Sequence, residues 1–267
     1  MSTPSDLLKV DGRMADAERR ESDSARVDTR SDMHVHTPFG YCAMDVTPEL
    51  CVARARARGL SGIACVEHAP QLYLPEAAYW AGEHFSDPDA LHRARETGQD
   101  RIGAYRRGMA PHRSEFLRVG LEVECDREGN LSLLPEDRAG WDLLTGAVHF
   151  LPQESEERGL APVKEAFMRL SERLCEEGVH VLGHPFRYFH KNRLPRPTEL
   201  YRPLARILAA SGVAAEINFH TNQPDPEFFR ICREEGVRLV LGSDAHELRE
   251  VGDFGPHLRL LKSIEYQ

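Results

Sequence analysis

His34 and His36 flank one valine in a short apolar run, and residues two apart on a strand project to the same face, as two imidazoles sharing one metal ion must. The pattern repeats down the chain. The runs GIACVEH, WDLLTGAVH, VHVLGH and RLVLGSDAH end at His68, His149, His184 and His246, FLRVGLE ends at Glu122, and Asp244 stands two before His246. Six histidines and two carboxylates thus gather at one end of successive strands. Any one of them read alone would be an ordinary core or rim residue; their joint placement is what points to metal. Imidazole nitrogen and carboxylate oxygen suit zinc, manganese and iron, and one carboxylate can bridge two ions. Two adjacent cations could lower the pKa of a shared water, polarise a substrate oxygen and neutralise the charge that builds up during displacement at phosphorus. His84, His92, His112 and His257 lie in helical or loop text and read as structural.

Other chemistries leave no trace. The chain has no G-x-S-x-G elbow, Walker loop or Rossmann G-x-G-x-x-G. After His184 the segment PFRYFHKNRLPRP carries Arg187, Lys191, Arg193 and Arg196 with no acid before Glu199. A basic loop beside the metals could bind phosphate oxygens, with Arg187 nearest in sequence and the rest read as a solvated loop. Asn218 and His220, at the end of VAAEINFH, could face the same cavity as substrate contacts or general acid. Glu67 alternates away from His68 and reads as a residue that orients its neighbours or pairs with a base. Glu124 shares the face of Glu122 one step further along, and reads as a rim residue.

The elements that would position these groups follow from periodicity. Strands read near 33–37, 62–68, 118–124, 143–149, 179–184, 213–219 and 237–243, with helical text between most of them. The first helix is punctuated by Thr47 as N-cap, Pro48 at its first position and Gly59 past its end. Alternating strands and helices argue for a parallel sheet, and 267 residues suit one α/β barrel with seven strands in place of eight. In such barrels the chemistry sits at the C-terminal ends of the strands, where the metal-type residues fall here. The long connection after His68 carries Tyr73, Tyr79, Trp80, His84 and Phe85, either a wall over the site or aromatic packing onto the barrel. Residues 1–30 are polar and read as a flexible extension, leaving 31–267 as the single domain. A net charge of -9 argues against a stable nucleic-acid complex, and the arginines at 54, 56 and 58 read as a solvated helix face. No apolar run suits a membrane span, and six cysteines without a C-x-x-C pair fit a reduced cytoplasm.

The strings HVHTPF, EHAP, GLEVE, GAVHF, GHPFR and GSDAH, in this order over roughly residues 32 to 255, resemble the PHP superfamily, named for polymerases and histidinol phosphatases. HTPF followed by EHAP is most similar to the histidinol-phosphatase branch. The resemblance implies a distorted (β/α)7 TIM-like barrel, two or three divalent ions (Zn, Mn or Fe) and hydrolysis of phosphoesters. Carried over by position, His34, His36, Glu122 and Asp244 would enclose one ion. Glu122 would bridge to a second held by His149 and His184, and a third would use His68 and His246. Residue 42 departs from the pattern, being cysteine where the family commonly has histidine. Cys42 is either a thiolate ligand or the mark of a weak third site, with Asp45 as a lesser substitute. The expected function is a phosphoesterase acting on a small phosphoric monoester through metal-activated water, with Asp244, His246, Arg187 and His220 at the reacting groups. A phosphodiesterase or nuclease for short nucleotides and a non-catalytic metal-binding domain are the alternatives.

Overall fold

The run Gly62–His68 is buried along its whole length, as a strand must be when helices cover one face and a filled barrel lies under the other. Ile63 and Cys65 face the helices, while Ala64 and Val66 face inward. A computed structural model describes residues 27–153, 157 and 159–265. Seven parallel strands form one sheet in sequential order, β1 (Ser31–Val35), β2 (Gly62–His68), β3 (Leu117–Val123), β4 (Leu143–Gly146), β5 (Val181–Leu182), β6 (Ala214–Ile217) and β7 (Leu239–Leu241). Bridges Val35 to Ala245 and Asp28 to Val240 bring the edges together, giving the expected distorted (β/α)7 barrel. Residues 1–26 of the predicted extension lie outside the described residues.

Helices wrap the outside: α1 (Pro48–Ala57), α2 (Ala69–Tyr73), α3 (Glu76–Trp80), α4 (Glu83–Ser86), α5 (Ala90–Glu96), α6 (Ile102–Met109), α7 (Leu160–Glu176), α8 (Arg187–Lys191), α9 (Tyr201–Ser211), α10 (Pro226–Glu234) and α11 (Gly255–Glu265). Helix α1 begins as its punctuation predicts, with the Thr47 side chain accepting from the Leu50 N–H and Pro48 in the first turn. Helix α7 buries Val163, Ala166, Phe167, Leu170 and Leu174, a stripe at three- and four-residue spacing laid on the barrel. Among the described residues no helix is long and apolar enough to cross a membrane.

The barrel interior is graded. Its floor is Met33, Ala64, Val66, Leu143, Val181 and Ala214, and its C-terminal mouth is polar. A bulge in β1 makes that change of lining possible. Asp32 pairs with Ile63 and Val35 with Cys65, so Met33 and His34 together oppose Ala64. Such an extra residue re-aims the side chains beyond it, and both Met33 and His34 are buried in the interior as a result. Strand β2 reaches His68 as predicted, whereas the other strands stop one to three residues short of their predicted C-terminal ends. His149, His184 and Asp244 lie two to three residues beyond the ladder, where the chain bends to aim them. His184 (φ 31°) and Asp244 (φ 53°) adopt the left-handed region, which costs a non-glycine residue about 1–3 kcal/mol and is retained chiefly where the surroundings impose it.

Candidate metal centre

Glu122 is the middle of the mouth. One carboxylate oxygen, Oε2, lies 2.8 Å from His68 Nδ1 and 3.6 Å from both His34 Nε2 and His36 Nε2. The other, Oε1, lies 2.8 Å from His184 Nε2 and 3.4 Å from His149 Nε2. His34 Nε2 and His36 Nε2 face each other at 3.2 Å. Asp244 reaches in with Oδ1, 2.9 Å from His36 Nε2 and 3.5 Å from His34 Nε2. Its Oδ2 turns away to accept from Arg187 Nη1 at 2.7 Å and Asn218 Nδ2 at 3.3 Å. Backbone bonds lock this edge: Asp244 N–H donates to His34 O at 2.8 Å and His36 N–H to Ala245 O at 3.0 Å.

Two of the imidazoles are held from behind by carboxylates. Glu216 Oε1 lies 2.8 Å from His34 Nδ1, and Glu67 Oε1 lies 3.3 Å from His36 Nδ1. A carboxylate on Nδ1 fixes the ring and leaves Nε2 to point at a metal. Glu216 Oε2 also accepts from His184 N–H at 2.7 Å and Asn218 Nδ2 at 3.1 Å. Glu67 Oε2 accepts from the N–H and hydroxyl of Thr37 at 3.0 and 2.7 Å. Both acids need glycine beside them, since a Cβ at Gly242 would run into Glu216 Oε1 and one at Gly40 into Glu67 Oε1.

Charge pairing outweighs burial for the acids. Burial pushes the Glu122 and Asp244 carboxyls up, but His68, His149 and His34 around Glu122, and His34 and Arg187 beside Asp244, hold both well below the usual range. Burial lowers His34 and His36, yet Glu216, Asp244 and Glu122 hold His34 well above 6.5, and Asp244 with Glu67 holds His36 at about 9. Burial and Arg187 bring His184 down to about 4, and burial and His36 bring His246 down to about 3. The last two therefore keep free lone pairs at neutral pH.

The donor set fits divalent cations. His68 Nδ1 and Glu122 Oε2 are buried and 2.8 Å apart, yet neither makes a hydrogen bond of acceptable geometry. Bonds of about 2.1 Å would place adjacent ligands roughly 3 Å apart, which is the spacing seen. His34, His36 and Asp244, the trio Glu122, His149 and His184, and the trio His36, His68 and His246 each bring their donor atoms within 4.8 Å of one another. These groups unite eight of the nine predicted ligands.

The ninth, Cys42, gathers instead with His36 and Glu67, its Sγ 3.8 Å from Gln71 Nε2. Burial and the charge of Glu67 push its thiol up. Asp45 is exposed and its Oδ1 accepts from Leu248 N–H at 2.9 Å. Arg187 is buried against Asp244 and the imidazole of His149, whereas Lys191, Arg193 and Arg196 are exposed. His220 stacks on His246 at 4.4 Å.

Two readings need correction. Glu124 is not on the rim: it is buried, 3.1 Å from His149 Nδ1 and 3.4 Å from His84 Nε2. His84 is accordingly more than a loop histidine. Glu216, absent from the sequence reading, betrays itself only as a lone acid in the apolar run VAAEINFH. In the long connection the aromatics Tyr73, Tyr79 and Phe85 are buried packing, and Trp80 stays exposed, at 57%.

Comparison with known proteins agrees with this architecture. A relative from Deinococcus radiodurans, named as a probable histidinol-phosphatase, is 28% identical over 245 residues, spanning 83% of this chain and 88% of its own. One from Acetivibrio thermocellus, named as a probable phosphatase, is 23% identical over 244 residues, spanning 88% and 86%. A solved structure from Listeria monocytogenes, provisionally assigned as a histidinol phosphatase, superposes with a TM-score of 0.58 at 17% identity, over 85% of this chain and 99% of that one. That is a likeness of fold. The PHP domain matches residues 32–220, from the bulged first strand past the sixth, and on that match the chain belongs to the PHP domain family.

Proposed function

We propose that this chain is a metal-dependent phosphoesterase that hydrolyses a small phosphoric monoester, with histidinol phosphate as the first substrate to test. The observation that carries the reading is Glu122 set between two groups of imidazoles with the Arg187 guanidinium at their edge. The names of the relatives from Deinococcus and Acetivibrio support it. His34, His36, Glu122 and Asp244 would hold one cation, Glu122, His149 and His184 a second, and His68 and His246 a third, with Cys42 beside His36. Zinc, manganese or iron suits these donors. Bound there, the cations supply Lewis acidity and a lowered pKa for water at neutral pH.

The protein's own side chains supply the rest. Arg187, whose Nη1 and Nη2 already face Asp244 and His149, would offer its remaining N–H donors to a phosphate oxygen at the mouth. Asn218 and Arg187 share Asp244 Oδ2, so Asp244 keeps Oδ1 turned to the centre. His220, half-buried and stacked on His246, stands where a leaving oxygen could take a proton. The test is phosphate release from histidinol phosphate by the full chain. Activity is lost on chelation and returns with Mn or Zn, and Arg187→Ala lowers kcat/KM by about 10²–10³-fold, the scale of one lost transition-state donor. Metal-replete protein that is inert on a panel of monoesters overturns the proposal, and cleavage of a single-stranded oligonucleotide without monoester turnover replaces it with a phosphodiesterase.

A further inference from the structure

His149, like His184 and Asp244, lies past the end of its strand. His34 and His68 lie within strands, whereas His149 lies three residues beyond β4. The last ladder bond before it is Ala147 N–H to Val123 O at 2.8 Å. Its ring is therefore held in place by side chains.

One side of that ring faces Arg187 and Glu122 through Nε2. An arginine can only donate, so the Nε2 it touches carries the lone pair and Nδ1 carries the proton. Nδ1 lies 3.1 Å from Glu124 Oε1, a charge contact outside hydrogen-bond geometry, and neither atom has a hydrogen-bond partner among the described residues, so each is the natural mate of the other. The remaining oxygen, Glu124 Oε2, accepts from His84 Nε2 at 3.4 Å. His84 is itself clamped, stacked on Tyr79 at 5.2 Å and set edge-on to Phe150 at 5.2 Å. Glu124 is fixed from the strand side, where its carbonyl accepts from Ser132 N–H at 2.7 Å.

We propose that Glu124 and His84 are positioning residues for His149. With the ion in place Glu124 Oε1 accepts a hydrogen bond from His149 Nδ1–H and aims Nε2 into the centre, and His84 steadies the far oxygen of Glu124. The arrangement repeats the pairs Glu216–His34 and Glu67–His36 on the opposite wall. It also gives the long connection between β2 and β3 a task, because α4 supplies His84 from outside the barrel. The proposal rests on the metal-centre reading of the functional proposal, but not on the substrate.

The experiment is calorimetric titration of chelator-stripped full chain with Mn²⁺, together with the visible absorption of the Co²⁺-loaded protein. Glu124→Ala weakens one Mn²⁺ site by about 10–100-fold, the usual cost of losing a carboxylate behind a ligating histidine, without changing the number of ions bound at saturation. The Co²⁺ bands shift. His84→Ala moves both readouts the same way by less, and His84→Gln, which keeps a donor, restores them in part. Loss of one full equivalent in Glu124→Ala overturns the proposal in favour of direct ligation. Unchanged affinity and spectrum with a lowered Tm overturns it in favour of packing alone. Because no turnover is measured, a protein that hydrolyses nothing defeats the phosphoesterase reading and leaves this one standing.

Discussion

Replacing Glu216 by glutamine changes one atom and removes one charge, and the structure says where the damage falls. The carboxylate has donors on both sides: His34 Nδ1 at Oε1, and His184 N–H with Asn218 Nδ2 at Oε2. An amide has a single oxygen. If its NH2 faces His184 and Asn218, two buried donors meet a third. If it faces His34, the imidazole must accept at Nδ1 and carry its proton on Nε2, which points at the centre. The first orientation leaves buried donors unsatisfied, at about 1–3 kcal/mol, and either one breaks a fully buried ion pair, for which losses of about 3–5 kcal/mol are usual. The two costs overlap, so about 3 kcal/mol is expected for Glu216→Gln without metal, or roughly 6–12 °C in Tm for a domain of this size. The wrong tautomer of His34 further weakens cation binding by about 10–100-fold. Differential scanning calorimetry of chelator-treated protein reads the first effect, and Mn²⁺ titration reads the second. Stability within about 0.5 kcal/mol of the parent together with unchanged Mn²⁺ affinity refutes the role assigned to Glu216.

Two further outcomes follow from the same geometry. Against the pull of burial, Asp244 and Glu67 raise His36 from 6.5 to about 9, so folding favours its protonated form. That contribution, about 3 kcal/mol, is full below pH 6.5 and is lost as pH rises through about 9. The Tm of chelator-treated protein should therefore fall over that interval, while Mn²⁺-loaded protein, whose ligands are already deprotonated, should not follow; parallel melting profiles count against the assignment. Gly242→Ala drives a Cβ into Glu216 Oε1 and within 2.8 Å of His34 Cβ, so it should cost about 1–3 kcal/mol of overpacking and weaken Mn²⁺ binding. Gly59→Ala, at φ +73° with nothing within 4 Å of the added carbon, is the control that strains the backbone and leaves Mn²⁺ affinity alone.

What could be read beforehand divides along a physical line. The seven strands were legible because each is an apolar run short enough for a strand and bounded by helical text, and the gathering of eight candidate donors was legible because chemistry in a parallel barrel collects where the strands end. Strand lengths were overestimated because apolar content continues past the point where the ladder stops: VLGH is apolar to its end, but β5 closes at Leu182 and His184 turns to φ 31°. The partners behind the histidines were missed or misplaced for another reason, since Glu124 with His84 and Glu216 with His34 meet only across the folded barrel. Even so, they left a trace in composition. An ionised carboxylate costs several kcal/mol to bury alone, so a single acid inside an apolar strand run implies a proton donor or cation on a neighbouring element. Glu67 and Glu216 are such acids, Glu122 and Glu124 share a third run, and each of the four is buried against at least one imidazole. By that argument acids in the strands of a parallel barrel deserve to be counted with the histidines when a metal centre is inferred, because the same burial cost that excludes an unpaired acid forces the pairing that aims the ligands.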